Sequence, residues 1–211
     1  MRKIFVVLPV MAVAVIAITL LVLGPGAEHA ANASPAVSDK AMSPYILSGN
    51  RKQQNVTVFL TWYGFNDNSD QLESQHNAAT IAHPRNAGNH TLHNLATEGR
   101  GTFQDPITFA ARDNDLRTFP IGSVIYVPLT QKYYIMEDSC GDNDPQGCLH
   151  GTHHVDLWMG PQHTSNDTAL GDCEDNSTPA NSVQVIINPS PSLPVDSTPE
   201  FRNNRCTVHL H

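Results

Sequence analysis

The feature that most constrains this chain is a set of six short β-rich runs separated by polar, turn-forming sequence. Residues 56–63 alternate strictly, with Val56, Val58, Leu60 and Trp62 on one side and Thr57, Phe59, Thr61 and Tyr63 on the other. A period of two is the signature of a strand with two different faces. Residues 107–111, 123–128, 132–138, 154–158 and 182–188 add five more runs, bounded by Pro, Gly and Asn/Asp clusters. The expectation is an all-β domain over 56–188, with no internal repeat and no parallel α/β sheet. Residues 64–105 are rich in Gly, Asn and His, and only 78–82 look ordered by pattern. So long an irregular segment inside a compact domain points to function.

The N-terminus reads as an export signal. A basic Met1-Arg2-Lys3 precedes an apolar run from Ile4 to Leu23, and Ala31-Asn32-Ala33 supplies a small-residue cleavage site. Residues 1–33 are therefore expected to be a signal peptide. An apolar run of this length can also span a bilayer, so an uncleaved anchor is the alternative and the only expected link to a membrane. Residues 34–55 read as a linker, and residues 189–211 as a Pro/Ser-rich tail, extended over 189–200. The expected location is extracellular.

All four cysteines, Cys140, Cys148, Cys173 and Cys206, fall in the exported part, which suggests two disulfides. Four cysteines allow three connectivities; spacing favours Cys140–Cys148, closing a polar insert, and Cys173–Cys206 would then tether the tail. The formal net charge is −8 with no Lys/Arg cluster. That excludes a basic nucleic-acid footprint and favours neutral glycans as partners. The protein is expected to be a monomer, with no cofactor and no metal.

Asp156 is the residue that needs explaining. It lies inside Val155-Asp156-Leu157-Trp158, where an unpaired buried carboxylate would be costly. It must have a partner or open into a cleft, and a half-apolar setting would raise its pKa and let it donate a proton. Asp138 closes another strand candidate. In a regular strand Glu137 faces the other way, so only one of the two should line a cleft. Asp113 and Asp115 are read either as site carboxylates or as turn and capping residues. Tyr63 is the better aromatic wall, because Trp62 shares a face with Val58 and Leu60. Trp158 and His154 are further candidates for contact with substrate. His90-x-x-His93 and His150-x-x-His153-His154 leave open a third reading, a metal-dependent protein.

The series Asp115, Phe-Pro-Ile-Gly (119–122), Val-Ile-Tyr-Val-Pro (124–128), Glu-Asp (137–138) and Val-Asp-Leu-Trp (155–158) resembles the three-aspartate domain of the RlpA-like superfamily. That domain is the catalytic part of the lytic transglycosylase A family. Thr61-Trp62-Tyr63-Gly64 with His154-Val155-Asp156 is similar to expansins and family 45 endoglucanases. The resemblance covers roughly 56–188 and implies a six-stranded double-psi β-barrel with long loops. It implies Asp156 as catalytic acid/base, with Asp138 and Asp115 as the accompanying aspartates. Thr-Leu-His-Asn (91–94) belongs to a pattern that is similar to small secreted, uncharacterised barrel proteins, and that likeness implies His93 in the cleft. Family 45 enzymes carry their general base, an aspartate, where this chain has Gly64, as expansins do; Asp67 and Asp70 lie close by. The expected function is cleavage of cell-wall polysaccharide, of lytic transglycosylase or endoglucanase type. The alternative is an expansin-like protein that binds or loosens glycan without breaking bonds.

Overall fold

A computed structural model of the chain describes residues 52–68, 79–140, 148, 152–160 and 167–211. The leader at 1–33, most of the linker, Asp70, His76, His150 and the polar insert lie outside the described residues. The six expected strands are β1 (Gln54–Tyr63), β2 (Ile107–Ala111), β3 (Val124–Val127), β4 (Lys132–Ser139), β5 (His154–Trp158) and β6 (Val183–Ile187). They close into one barrel in the order β1-β5-β2-β4-β3-β6. β1 runs parallel to β5 and β2 parallel to β4, while the other four pairings are antiparallel. Closure removes free sheet edges and leaves every strand with an inner and an outer face.

The alternation in β1 decides which side chains go where. Val58, Leu60 and Trp62 point inward and meet Phe109 and Ala111 of β2, Tyr134 and Met136 of β4, and Val155 and Leu157 of β5. Burying this many large apolar side chains, at roughly 1.5–3 kcal/mol each, is the main drive for folding. Tyr63, Ala110 and Trp158 fall on the outer face and pack with Ala79, Ile81 and Ala96 of the long β1–β2 connection. That connection therefore covers part of the outer wall.

One part of the C-terminal half departs from expectation. Residues Asp167–Ser177 form a helix, α1, whose buried positions Leu170, Cys173, Glu174 and Ser177 follow helical spacing. Only one of the four is a large hydrophobe, so no apolar period announces the helix. The segment after residue 189 runs without helix or strand as far as Glu200 and lies on the barrel as a strap. Tyr133 and Tyr126 donate hydroxyl hydrogen bonds to the carbonyls of Ser190 and Pro194, at 2.6 and 2.8 Å. Its end folds into a hairpin of β7 (Phe201–Arg202) and β8 (Arg205–Cys206). Asn203 and Asn204 both take positive φ there, as a tight two-residue hairpin turn requires.

Both expected disulfides are present. Cys140–Cys148 closes the polar insert, and Cys173–Cys206 ties α1 to the hairpin. Among the described residues, no helix is long and apolar enough to cross a membrane.

Candidate active site on the outer barrel wall

The outer face of β1, β5, β2 and β4 carries an unusual density of acidic and hydroxyl groups. Register puts Thr61 opposite Asp156 and Tyr63 opposite Trp158. Ala110 pairs with Asp156 on one side and with Asp138 on the other. Asp156, Ala110 and Asp138 thus form one row across three adjacent strands. At about 4.8 Å per strand, the two aspartate backbones stand roughly 10 Å apart. The residue between them is Ala110, 2% exposed and packed under Tyr63, Ala79, Ile81 and Ala96.

A bulge in β4 places both members of the Glu137-Asp138 pair on this wall. The β2–β4 register jumps between Phe109–Met136 and Ala110–Asp138, so Glu137 is the extra residue. The expected alternation would have sent the two acids to opposite faces; the bulge removes it. Their surroundings then separate them. Glu137 is wholly buried and accepts from the backbone N–H of Leu92 (2.6 Å) and His93 (3.0 Å), the Thr108 hydroxyl (2.9 Å) and His93 Nδ1 (2.8 Å). It supplies acceptors to an irregular loop that has no ladder of its own. His93 lies between Glu137 and Asp105, its Nε2 3.5 Å from the latter. Burial alone would lower its pKa, but the two carboxylates outweigh burial and hold it above the usual histidine value.

Asp138 accepts from the Tyr63 hydroxyl at 2.9 Å and from the N–H groups of Ala82 (2.8 Å) and Ser139 (2.9 Å). Burial raises its pKa to about 6; those three donors pull it back, and the Glu137 charge adds a further push upward. Burial also raises the Tyr63 phenol well above its usual value, and the Asp138 and Asp156 charges add to it. Tyr63 is therefore a fixed donor at any ordinary pH.

Asp156 is half-buried, whereas Asp138 is only 6% exposed. The Thr61 hydroxyl donates to Asp156 Oδ1 at 2.7 Å, and His154 Nε2 lies 2.8 Å from the same hydroxyl oxygen. A threonine has one proton to give, so when it goes to Asp156 the imidazole must donate to Thr61. A relay from His154 through Thr61 to Asp156 follows. Burial raises the Asp156 pKa to about 7; the Thr61 bond works against this, and the Asp67 and Asp138 charges reinforce it.

Glu174 of α1 completes the acidic group and carries no sequence signal of its own. A Cβ built on Gly64 would come within 2.5 Å of Glu174 Oε1 and 2.9 Å of Leu170 Cδ2. Gly64 is the position that lets α1 lie against the end of β1. Burial raises the Glu174 pKa to about 8, with the Asp67 charge adding to it and the Asn66 amide, 3.3 Å away, opposing it. Asp67 accepts from the Gly64 N–H at 2.9 Å, and burial raises its pKa in turn.

The remaining sequence candidates have defined places. Asp115 is buried just beyond β2 and pairs with His153 Nδ1 at 2.9 Å, while Asp113 accepts from the Ser139 hydroxyl at 2.8 Å. His154 lies beneath Thr61, edge-on to Phe59. Trp158 donates from Nε1 to the Gly160 carbonyl at 2.7 Å and meets the Tyr63 ring edge-on at 5.2 Å. Among the described residues, no group of three or more His, Cys, Asp or Glu side chains is disposed to hold a metal ion.

Fold and site together define a class: a mostly-β, disulfide-bearing, closed six-stranded barrel with a row of carboxyl groups of raised pKa on its outer wall. Within that class the chain belongs to the DDB_G0273701 N-terminal domain family, whose profile matches residues 55–207. It is 32% identical over 160 residues to an uncharacterised protein of Dictyostelium discoideum, an alignment covering 76% of this chain. The chain spans 63% of the length of that relative. No solved structure matches the chain.

Proposed function

We propose that this is an exported double-psi β-barrel of the RlpA-like, three-aspartate kind that cleaves a cell-wall polysaccharide, with Asp156 as its acid/base. The observation carrying this reading is that Asp156 is half-buried, while Asp138 and Glu174 are nearly closed off. A half-buried carboxyl of pKa about 7 suits a lytic mechanism, which needs a single group for both proton transfers. Protonated Asp156 gives its proton to the glycosidic oxygen as the C–O bond breaks. A hydroxyl of the same sugar forms the new bond to the anomeric carbon and returns its proton to Asp156. No water is consumed, and an anhydro-sugar end results. Ionised Asp138, held by Tyr63, adds negative charge beside the developing cation.

Inverting hydrolysis would need a second open carboxyl about 6.5–9.5 Å from the first. Asp138 and Glu174 are too buried to serve, which leaves exposed Asp67 as the other carboxyl of the group able to act as a base. The same burial, together with Gly64, favours as a second reading an expansin-like protein that binds glycan without cleaving it. Incubating the wild-type chain and Asp156→Asn with peptidoglycan, cellulose and β-glucan, with mass spectrometry of the products, separates the two. Anhydro-ended fragments from the wild type alone are the expected result. Fragments with reducing ends alone would replace the lytic route by hydrolysis. No fragments, with binding to one polymer retained, would leave the expansin-like reading.

A further inference from the structure

A cavity of about 480 Å³ opens where β5 ends, bounded by Trp158 and Gly160, the loop around Gly99 and Arg100, and the C-terminal strap from Ser197 to Arg202. We infer that it is a subsite for an acidic sugar unit, a uronate residue of the polymer whose bond lies at Asp156. The inference rests on the proposed glycan substrate and adds its charge.

Position comes first. Asp156 and Trp158 are two residues apart on one strand, share its outer face and are separated by about 7 Å, on the scale of one sugar unit. Trp158 touches Tyr63 on the active-site side and lines the cavity on the other. A polymer lying along β5 with a bond at Asp156 places a neighbouring unit at the cavity.

The walls suit a sugar. Ile107, Pro199 and Phe201 offer apolar surface, and Thr97, Ser197 and Thr198 offer hydroxyls. The cavity also has a built polar end: Lys132 and Glu200, each side chain 3% exposed, pair at 3.3 Å. Tyr134 donates to Glu200 at 3.2 Å, which fixes the pair in place.

Charge decides the kind of sugar. Lys132 is neutralised by Glu200, which leaves Arg100 and Arg202 as the other charged residues of the lining. Arg100 is shared with Asp105 at 3.4 Å but is 86% exposed, and Arg202 is in no ion pair among the described residues. Two guanidinium groups at one mouth, on a chain of net charge −8, are a local reversal of sign. Guanidinium is the side chain best shaped to grip a carboxylate.

Calorimetry with the full chain carrying Asp156→Asn tests this, with trigalacturonate and cellotriose as probes. Trigalacturonate should bind about tenfold more tightly than cellotriose at low salt, and the preference should shrink on adding salt. Adding Arg100→Ala and Arg202→Ala should bring the two probes together. Both arginines are exposed, so an unchanged melting temperature will show that the fold survives. Equal affinities, no binding of trigalacturonate, or a preference that survives the arginine substitutions would overturn the inference. Cleavage is no part of the readout. A chain that prefers trigalacturonate but cuts nothing keeps the subsite and loses the enzyme; a chain that cuts neutral glycan without the preference does the reverse.

Discussion

Asp156 and Asp138 stand in one cross-strand row with Ala110 between them, and each is governed by a hydroxyl of β1. Thr61 donates to Asp156 and Tyr63 to Asp138, two residues apart on the same face of one strand. The two carboxyls can therefore be perturbed separately, and their pKa values lie at about 7 and about 6.

Activity on glycan should follow a bell between those values, falling as Asp138 is protonated below about pH 6 and as Asp156 ionises above about pH 7. Each hydroxyl bond lowers the pKa of its own carboxyl. Thr61→Val should thus move the alkaline limb to higher pH, and Tyr63→Phe should move the acid limb to higher pH. The values belong to an interacting set, so the direction of each limb is the outcome to read. A pH–rate series on the three proteins checks this; if both variants shift the same limb, the separate assignment fails.

Stability should fall as pH rises through the neutral range. Glu174 has a folded pKa of about 8 against an ordinary 4.5, and Asp156 about 7 against 3.8. Between those limits the folded chain keeps protons that the unfolded chain has released. Unfolding then releases protons, and raising the pH favours it. Asp138 acts the same way up to about pH 6. Melting temperature measured from pH 5 to pH 8.5 should decline, and Glu174→Gln should flatten the decline above pH 7. A Glu174→Gln curve parallel to the wild type would show that this carboxyl is not held protonated.

Gly64→Ala should destabilise the fold by about 1–3 kcal/mol, because the added methyl has to displace the Glu174 carboxyl and Leu170. Pairing it with Glu174→Ala should recover part of the loss, since that substitution removes one of the two obstructing groups. Chemical denaturation of the single and double variants reads the coupling directly. Additive losses would mean that the glycine serves something other than the seating of α1.

The barrel was legible because its strands follow simple rules. β1 alternates without a break, and the inward set Val58, Leu60 and Trp62 and the outward set Thr61 and Tyr63 can be read from residue types alone. Cys140–Cys148 followed from an even cysteine count and a spacing of eight, and Cys173–Cys206 was the pair that remained. The helix α1 was hidden because a buried stripe of Leu, Cys, Glu and Ser has no apolar period. Glu174 was hidden with it, although Gly64, the position that admits it, stood out in the sequence as a missing carboxylate. The β4 bulge was hidden too, since an extra residue in a ladder is defined by the partner strand, and nothing in Met-Glu-Asp announces it. The docking of the C-terminal strap had no signal either: Pro and Ser suggest an extended tail, but its carbonyls are taken up by Tyr126 and Tyr133, two strand residues with no separate sign of that role.

His93 is where the motif and the geometry invite different experiments. As a cleft wall its loss would chiefly weaken substrate binding. Its Nδ1, however, is 2.8 Å from a wholly buried Glu137, whose other donors are Thr108 and two N–H groups of the His93 loop. Removing the imidazole leaves a buried carboxylate short of a charge-assisted partner, at a cost of about 3–5 kcal/mol. His93→Ala should therefore lower stability sharply. Glu137→Gln in the same background should restore part of it, since an amide tolerates burial better than an unpaired charge. Denaturation midpoints of the two variants, with glycan cleavage measured per folded molecule, divide the roles. A stable His93→Ala protein with raised KM would return this residue to the substrate; an unstable one with near-normal specific activity assigns it to holding the loop over the outer barrel wall.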